Sequence, residues 1–202
     1  MQQRHKAVFL DKDGTLIPDI PYNVDPHLIT LEQGVVEGLK TLQQAGFIFV
    51  LISNQSGVAR GKFKYDALKG VSEKLTQLLA KDNLTISGFY YCPHHTDGIV
   101  NEYTIDCDCR KPKPGMLLNA ADDLQIDLDN SWMIGDILND CEAGNRAGCK
   151  TILINNGNET EWLTGPYRRP DFIAADFIEA ANFIATNKAQ TKEVDERKMA
   201  TM

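Results

Sequence analysis

Long apolar runs are absent. Nothing in the 202 residues approaches the roughly 18 consecutive apolar residues of a membrane-spanning helix. The opening Met1-Gln2-Gln3-Arg4-His5-Lys6 carries no apolar run of signal-peptide length. A soluble, cytoplasmic protein without a membrane partner is therefore expected. Positive charge is also scarce, with 21 Lys and Arg against 28 Asp and Glu and a formal net charge of −7. That balance argues against a nucleic-acid partner and leaves any anion site to be built from a few placed cations and a metal. The 5 cysteines are an odd number and follow no secretory signal, which argues against a disulfide framework. No internal repeat is visible, so a tandem architecture falls away and a monomer is the default.

What is present is an alternation of short apolar runs with longer amphipathic stretches. Strands are expected at residues 7–10, 47–52, 86–91, 131–134 and 151–154, with a short edge strand at 172–174. Helical spacing covers residues 31–45 and 64–82, a segment entered through Pro114 and running to Leu124, a stretch closing at Ala147 before Gly148, and residues 177–185. The β-α-β opening predicts an α/β fold, a Rossmann-like three-layer sandwich with a mainly parallel sheet. One domain over residues 1–186 is expected, followed by a polar, non-periodic tail at 187–202. Residues 17–30 contain Pro18, Pro21 and Pro26 and read as a small flap over a strand end, while residues 155–169 read as a polar surface loop around Trp162.

Chemistry concentrates where apolar runs stop. The run 7–10 ends at Asp11, with Asp13 one residue further on, then Gly14 and Thr15. Carboxylates at the carboxyl end of a buried parallel strand sit at the mouth of the sheet, where such folds bind ligands. Two so close repel as anions and call for an oxygen-ligated cation, most simply Mg²⁺; the plainer reading is a pair of turn formers. Ser53-Asn54-Gln55-Ser56 ends the second strand in the same way, and Gly135-Asp136 ends the fourth, with Asp140 placed to share a face once a helix begins.

A second metal site is suggested by Cys92-x-His94 and Cys107-x-Cys109. Three thiols and an imidazole form the closed tetrahedral donor set of a structural Zn²⁺. His94 mirrors the C-x-C spacing, and His95 is the alternative. Zinc would order the long loop and aim Arg110 and Lys111 at the sheet mouth. Cys141 and Cys149 read as small core residues.

The string Asp11-Lys12-Asp13-Gly14-Thr15-Leu16 after an apolar strand resembles the first motif of the haloacid dehalogenase-like phosphohydrolases. The resemblance implies that Asp11 is a nucleophile toward phosphorus and Asp13 the general acid and base. It makes Ser53 a phosphoryl-oxygen ligand, Lys111 the third-motif lysine with Lys113 as alternative, and Asp136 a Mg²⁺ ligand supported by Asp140. It places substrate contacts at Asp19 and Tyr22, and extends them to Asn54, Gln55, Ser56 and Arg110. The zinc loop is similar to that of the heptose 1,7-bisphosphate and histidinol-phosphate phosphatases. Twelve residues between His94 and Cys107, with Arg110-Lys111-Pro112 directly behind, look like the heptose branch, whose substrate is a sugar bisphosphate. One departure is Ile137, where that branch often has a polar residue; Asn139 is a candidate to compensate. A different class, a sugar-phosphate binding protein without turnover, would be dismissed by Mg²⁺-dependent phosphate release that vanishes in Asp11→Asn.

Overall fold

Four consecutive apolar residues without polar alternation are accommodated where both faces of a strand are covered. Ala7, Val8, Phe9 and Leu10 accordingly show no solvent exposure. They form β1 (Ala7–Leu10) of a computed structural model that describes residues 4–187. The remaining strands are β2 (Ile48–Asn54), β3 (Ile86–Cys92), β4 (Trp132–Gly135), β5 (Lys150–Ile154) and β6 (Phe172–Ala174). All are in one sheet in the order β3-β2-β1-β4-β5-β6, and every pairing is parallel.

Among the described residues five helices cover the two faces: α1 (Val35–Gln44), α2 (Ala67–Ala80), α3 (Gly115–Asp123), α4 (Leu138–Ala147) and α5 at residues 177–187. Alternation along β1 separates two cores. Val8 and Leu10 pack with Leu39 of α1, Leu75 of α2 and Phe177 of α5. Ala7 and Phe9 pack on the opposite face with Leu117 of α3 and Ala143 of α4. Full burial of a side chain such as Phe9 or Leu10 stabilises by about 1.5–3 kcal/mol.

Two helices differ from the spacing-based expectation. Helix α1 starts at Val35 and not at Leu31, because Gly34 turns the chain with φ +81° and a Cβ there would lie 2.7 Å from Ile178. Helix α2 is shorter at both ends than residues 64–82, since turns precede Ala67 and follow Ala80. The 17–30 flap carries one 3₁₀ turn, Pro26–Leu28, capped by the Asp25 side chain. Asn187 is the last described residue and lies within α5, and the rest of the 187–202 tail lies outside the described residues. Among the described residues no helix is long and apolar enough to cross a membrane.

The topology locates the ligand site. From β1 the chain goes outward through β2 and β3, then returns to place β4 on β1's other side. Such a reversal opens a crevice at the carboxyl ends of the strands. Leu10 is in register with Leu51 of β2 and Ile134 of β4, so all three strands deliver their next residues to that crevice.

Candidate active site

Asp11 leaves β1 with its N–H bonded to the carbonyl of Ile134 at 3.0 Å, so the first carboxylate begins as an extension of the sheet. The chain then turns sharply: the N–H groups of Leu16 and Ile17 both reach back to the carbonyl of Lys12 at 3.0 Å. Gly14 makes the turn possible. Its φ of +77° suits glycine, and a Cβ there would lie 2.0 Å from Asp136 Oδ2. Asp13 pairs with the buried Lys12 ammonium and accepts from Gln55 Nε2 at 3.1 Å. Burial outweighs these partners and pushes the Asp13 carboxyl up from its ordinary value. Gln55 Nε2 also donates to Ser53 Oγ at 2.8 Å, which links the end of β2 to the β1 turn.

Lys111 is the cation at the centre. It is 3 % exposed, and its Nζ lies 2.5 Å from both Asp11 Oδ1 and Asp140 Oδ1 and donates to the carbonyl of Ile52 at 3.1 Å. Burial alone would lower its pKa, but the two carboxylates hold it above the ordinary lysine value. Asn54 clamps its backbone from both sides. Asn54 Nδ2 donates to the Lys111 carbonyl and Asn54 Oδ1 accepts from the Lys111 N–H, each at 3.0 Å. Lys113 instead faces outward and pairs with Asp106 at 2.7 Å. Of the two lysines, Lys111 is the one beside Asp11.

Behind Lys111 sits the cysteine loop. Sγ of Cys109 lies 3.0 Å from Sγ of Cys92, 3.2 Å from Sγ of Cys107 and 3.3 Å from Nδ1 of His94. His95 turns away, with Nε2 at 3.0 Å from Arg60 and Nδ1 accepting from the Asp97 N–H at 3.0 Å. Arg110 does not line the crevice; its guanidinium donates to the His94 carbonyl at 3.2 Å.

Asp136 follows β4, and Asp140 stands in the first turn of α4. Asp140 is fully buried and accepts from the Ile137 N–H at 3.3 Å, so it braces the helix start while its other oxygen pairs with Lys111. Burial, reinforced by Asp11 and Asp140, pushes the Asp136 carboxyl up to about 7. Burial likewise pushes Asp140 up to about 6, against the pull of Lys111.

These groups meet in a cavity of 340 Å³ lined by Asp11, Asp13, Ser53, Lys111 and Asp136. Asp19, Tyr22, Asn54, Gln55 and Ser56 share the lining, as does Ile137. Tyr22 sits at the flap tip with φ 58°, with the Lys62 ammonium 5.8 Å from its ring. Asn139 takes no part in the lining; its Oδ1 accepts from Arg168 at 2.8 Å.

The loop after β5 corrects the surface-loop expectation for residues 155–169. Trp162 is indeed exposed, but Asn158 lines the cavity and donates to Asp136 Oδ2 at 2.7 Å. The available signal was positional: the polar run Asn155-Asn156-Gly157-Asn158-Glu159 begins where β5 stops, next to β4.

A family model described as HAD-hydrolase-like matches residues 108–180. The D-glycero-beta-D-manno-heptose-1,7-bisphosphate 7-phosphatase of Pasteurella multocida is 46% identical over 153 residues, 75% of this chain and 83% of that protein. The enzyme of the same name from Escherichia coli K12 is 42% identical over 166 residues, 78% of this chain and 87% of that protein. The chain belongs to the heptose-1,7-bisphosphate phosphatase family of haloacid dehalogenase-like hydrolases. A crystal structure of D,D-heptose 1,7-bisphosphate phosphatase from B. bronchiseptica, complexed with magnesium and phosphate, superimposes with a TM-score of 0.77. It is 30% identical, and the alignment covers 90% of this chain and 99% of that one.

Two groups of donors here could each hold a metal ion. Carboxylate oxygens of Asp11, Asp136 and Asp140 lie within 4.8 Å of one another, and the Lys111 ammonium, paired with Asp11 and Asp140, offsets only part of their charge. That surplus of negative charge suits an oxygen-ligated divalent cation. At the cysteine loop, a tetrahedral zinc with Zn–S of about 2.3 Å requires sulfurs roughly 3.8 Å apart. The observed sulfur separations of 3.0–3.5 Å are slightly tighter than that. Burial raises the Cys107 thiol and a shared hydrogen bond with Cys92 raises Cys109, the protonated state that a bound zinc would convert to thiolate.

Proposed function

We propose that the chain removes the 7-phosphate of D-glycero-β-D-manno-heptose 1,7-bisphosphate through a covalent phosphoryl-aspartate at Asp11. The observation carrying this reading is the meeting of Asp11, Asp13, Ser53, Lys111 and Asp136 at one cavity, in a chain whose relatives are phosphatases of that sugar. In the first half-reaction an Asp11 oxygen attacks phosphorus while the bond from phosphorus to the sugar oxygen breaks. Asp13 gives its proton to the departing alkoxide, a role its raised pKa favours. In the second, Asp13 takes a proton from water as that water attacks phosphorus, and Asp11 leaves as a carboxylate. Ser53 and Lys111 hold phosphoryl oxygens through both steps and stabilise their charge. Mg²⁺, held by Asp11, Asp136 and the main-chain carbonyl of Asp13, supplies further charge neutralisation when bound. Zn²⁺ at Cys92, His94, Cys107 and Cys109 is structural.

Asp19, Tyr22, Asn54, Gln55, Ser56 and Arg110 are proposed to serve substrate selection, the last through the cysteine loop. We take residues 1–186 as one domain and the protein as a cytoplasmic monomer. Histidinol phosphate is the rival substrate, and the apolar Ile137 in the cavity wall is the departure that weakens the heptose assignment.

The test is Mg²⁺-dependent phosphate release from the heptose bisphosphate, histidinol phosphate and a 3′-phosphorylated oligonucleotide. The heptose bisphosphate is expected to turn over with the highest kcat/KM, and preference for histidinol phosphate would overturn the substrate assignment. Asp11→Asn is expected to abolish release from every substrate. Turnover that survives that change would remove the covalent route.

A further inference from the structure

The loop at residues 155–162 holds the acidic end of the site from three directions. Asn158 Nδ2 donates to Asp136 Oδ2 at 2.7 Å, while Asp136 Oδ1 accepts from Thr15 Oγ1 at 3.3 Å. Asn156 Nδ2 donates to the Gly14 carbonyl at 2.7 Å, and Asn156 Oδ1 accepts from the Asn158 N–H at 3.1 Å. Glu159 Oε2 accepts from the N–H of Leu138, the first residue of α4, at 2.6 Å. Its Oε1 accepts from the N–H groups of Glu161 at 2.9 Å and Trp162 at 3.3 Å. One segment therefore grips a carboxylate, the turn that carries Asp13 and the start of the helix that carries Asp140.

The grip matters because Asp136 is surrounded by like charge. Asp11 and Asp140 both act on it, and a carboxylate free to rotate would swing away from them. A neutral amide donor opposes that swing without adding charge of either sign. Glu159 is held below its ordinary pKa by its backbone donors, although burial opposes them, so this anchor stays ionised and keeps the loop docked.

We propose that Asn158 is a positioning residue for the Asp136 carboxylate, aiming it at the divalent cation, with Asn156 and Glu159 fixing Asn158 in place. This rests on Asp136 being a Mg²⁺ ligand, as read above. Hydrogen-bond partners of metal ligands typically govern metal affinity by about 10- to 100-fold. Asn158 and Asn156 are exposed as residues, so shortening either side chain leaves both apolar cores intact.

The experiment measures Mg²⁺ binding calorimetrically on the full chain without substrate, and phosphate release as a function of Mg²⁺, for Asn158→Ala, Asn156→Ala and Asp136→Asn. Asn158→Ala is expected to keep the parent's thermal midpoint, to weaken Mg²⁺ binding by about tenfold or more, and to regain turnover as Mg²⁺ is raised. Asn156→Ala is expected to weaken binding by less. Asp136→Asn is expected to lose binding with no recovery at high Mg²⁺. Loss of binding in Asp136→Asn together with parental affinity in Asn158→Ala would overturn this proposal and leave the functional reading standing. So would an Asn158→Ala defect that excess Mg²⁺ does not relieve, since that marks a direct substrate contact. Parental Mg²⁺ affinity in Asp136→Asn would instead overturn the functional reading itself.

Discussion

Lys111 shows how closely charge is balanced at the level of single side chains. Its ammonium is shared by Asp11 and Asp140, both at 2.5 Å, in a position 3 % exposed. Removing one partner from a buried ionic group costs about 3–5 kcal/mol, because the charges left behind have no water to turn to. Lys111→Met is expected to lose stability on that scale in chemical denaturation, in addition to losing turnover. Asp136 gives a pH dependence with a definite sign. Its folded pKa of about 7 lies above the ordinary carboxylate value, so the metal-free fold keeps this contribution at low pH and loses it as pH climbs toward 7. Mg²⁺ offsets that loss. The rise in thermal midpoint on adding Mg²⁺ is therefore expected to be larger at about pH 8 than at about pH 5, and an increment independent of pH would contradict the assignment. Asp11, Asp13 and Asp136 were legible as acids standing where apolar strands stop. Asn158 was not, because an amide in a polar loop acquires its role from the carboxylate it meets in space. Spacing favoured His94 over His95, and it is the His94 ring that lies against the thiols while His95 turns away.

At the level of elements, strands were more legible than helix starts. The apolar runs of β1 and β5 declare themselves because both faces are covered, and the edge strand β6 came out at Phe172–Ala174 as its length suggested. The start of α1 was obscured because Leu31 fits the helical period, whereas the left-handed turn at Gly34 delays the helix. The cysteine loop links an element to the chemistry. Lys111 follows Cys109 by two residues, and Asn54 holds Lys111 by its backbone. Cys107→Ser is expected to lose bound zinc by elemental analysis, to open residues 92–109 to proteolysis, and to lower kcat more than it raises KM. Zinc loss without any change in kcat would show that the loop is independent of the lysine.

At the level of the whole molecule, the sheet separates a quiet interior from a working edge. Every polar group of the site stands at the carboxyl ends of the strands, and the two apolar cores lie below them. Amide exchange is expected to be slowest in β1 and β4 and fastest in the 17–30 flap and the loop after β5. Mg²⁺ together with a phosphate analogue is expected to slow the second group and leave the first unchanged. The sheet order has a consequence for biosynthesis. The strand that opens the chain needs neighbours on both sides, and one of them ends at Gly135. A nascent chain leaving the ribosome would hold β1 half-partnered until β4 emerges, so release of residues 132–135, and not of β1 and β2 alone, should gate the appearance of native enzyme, with chaperone occupancy greatest while that gap stays open.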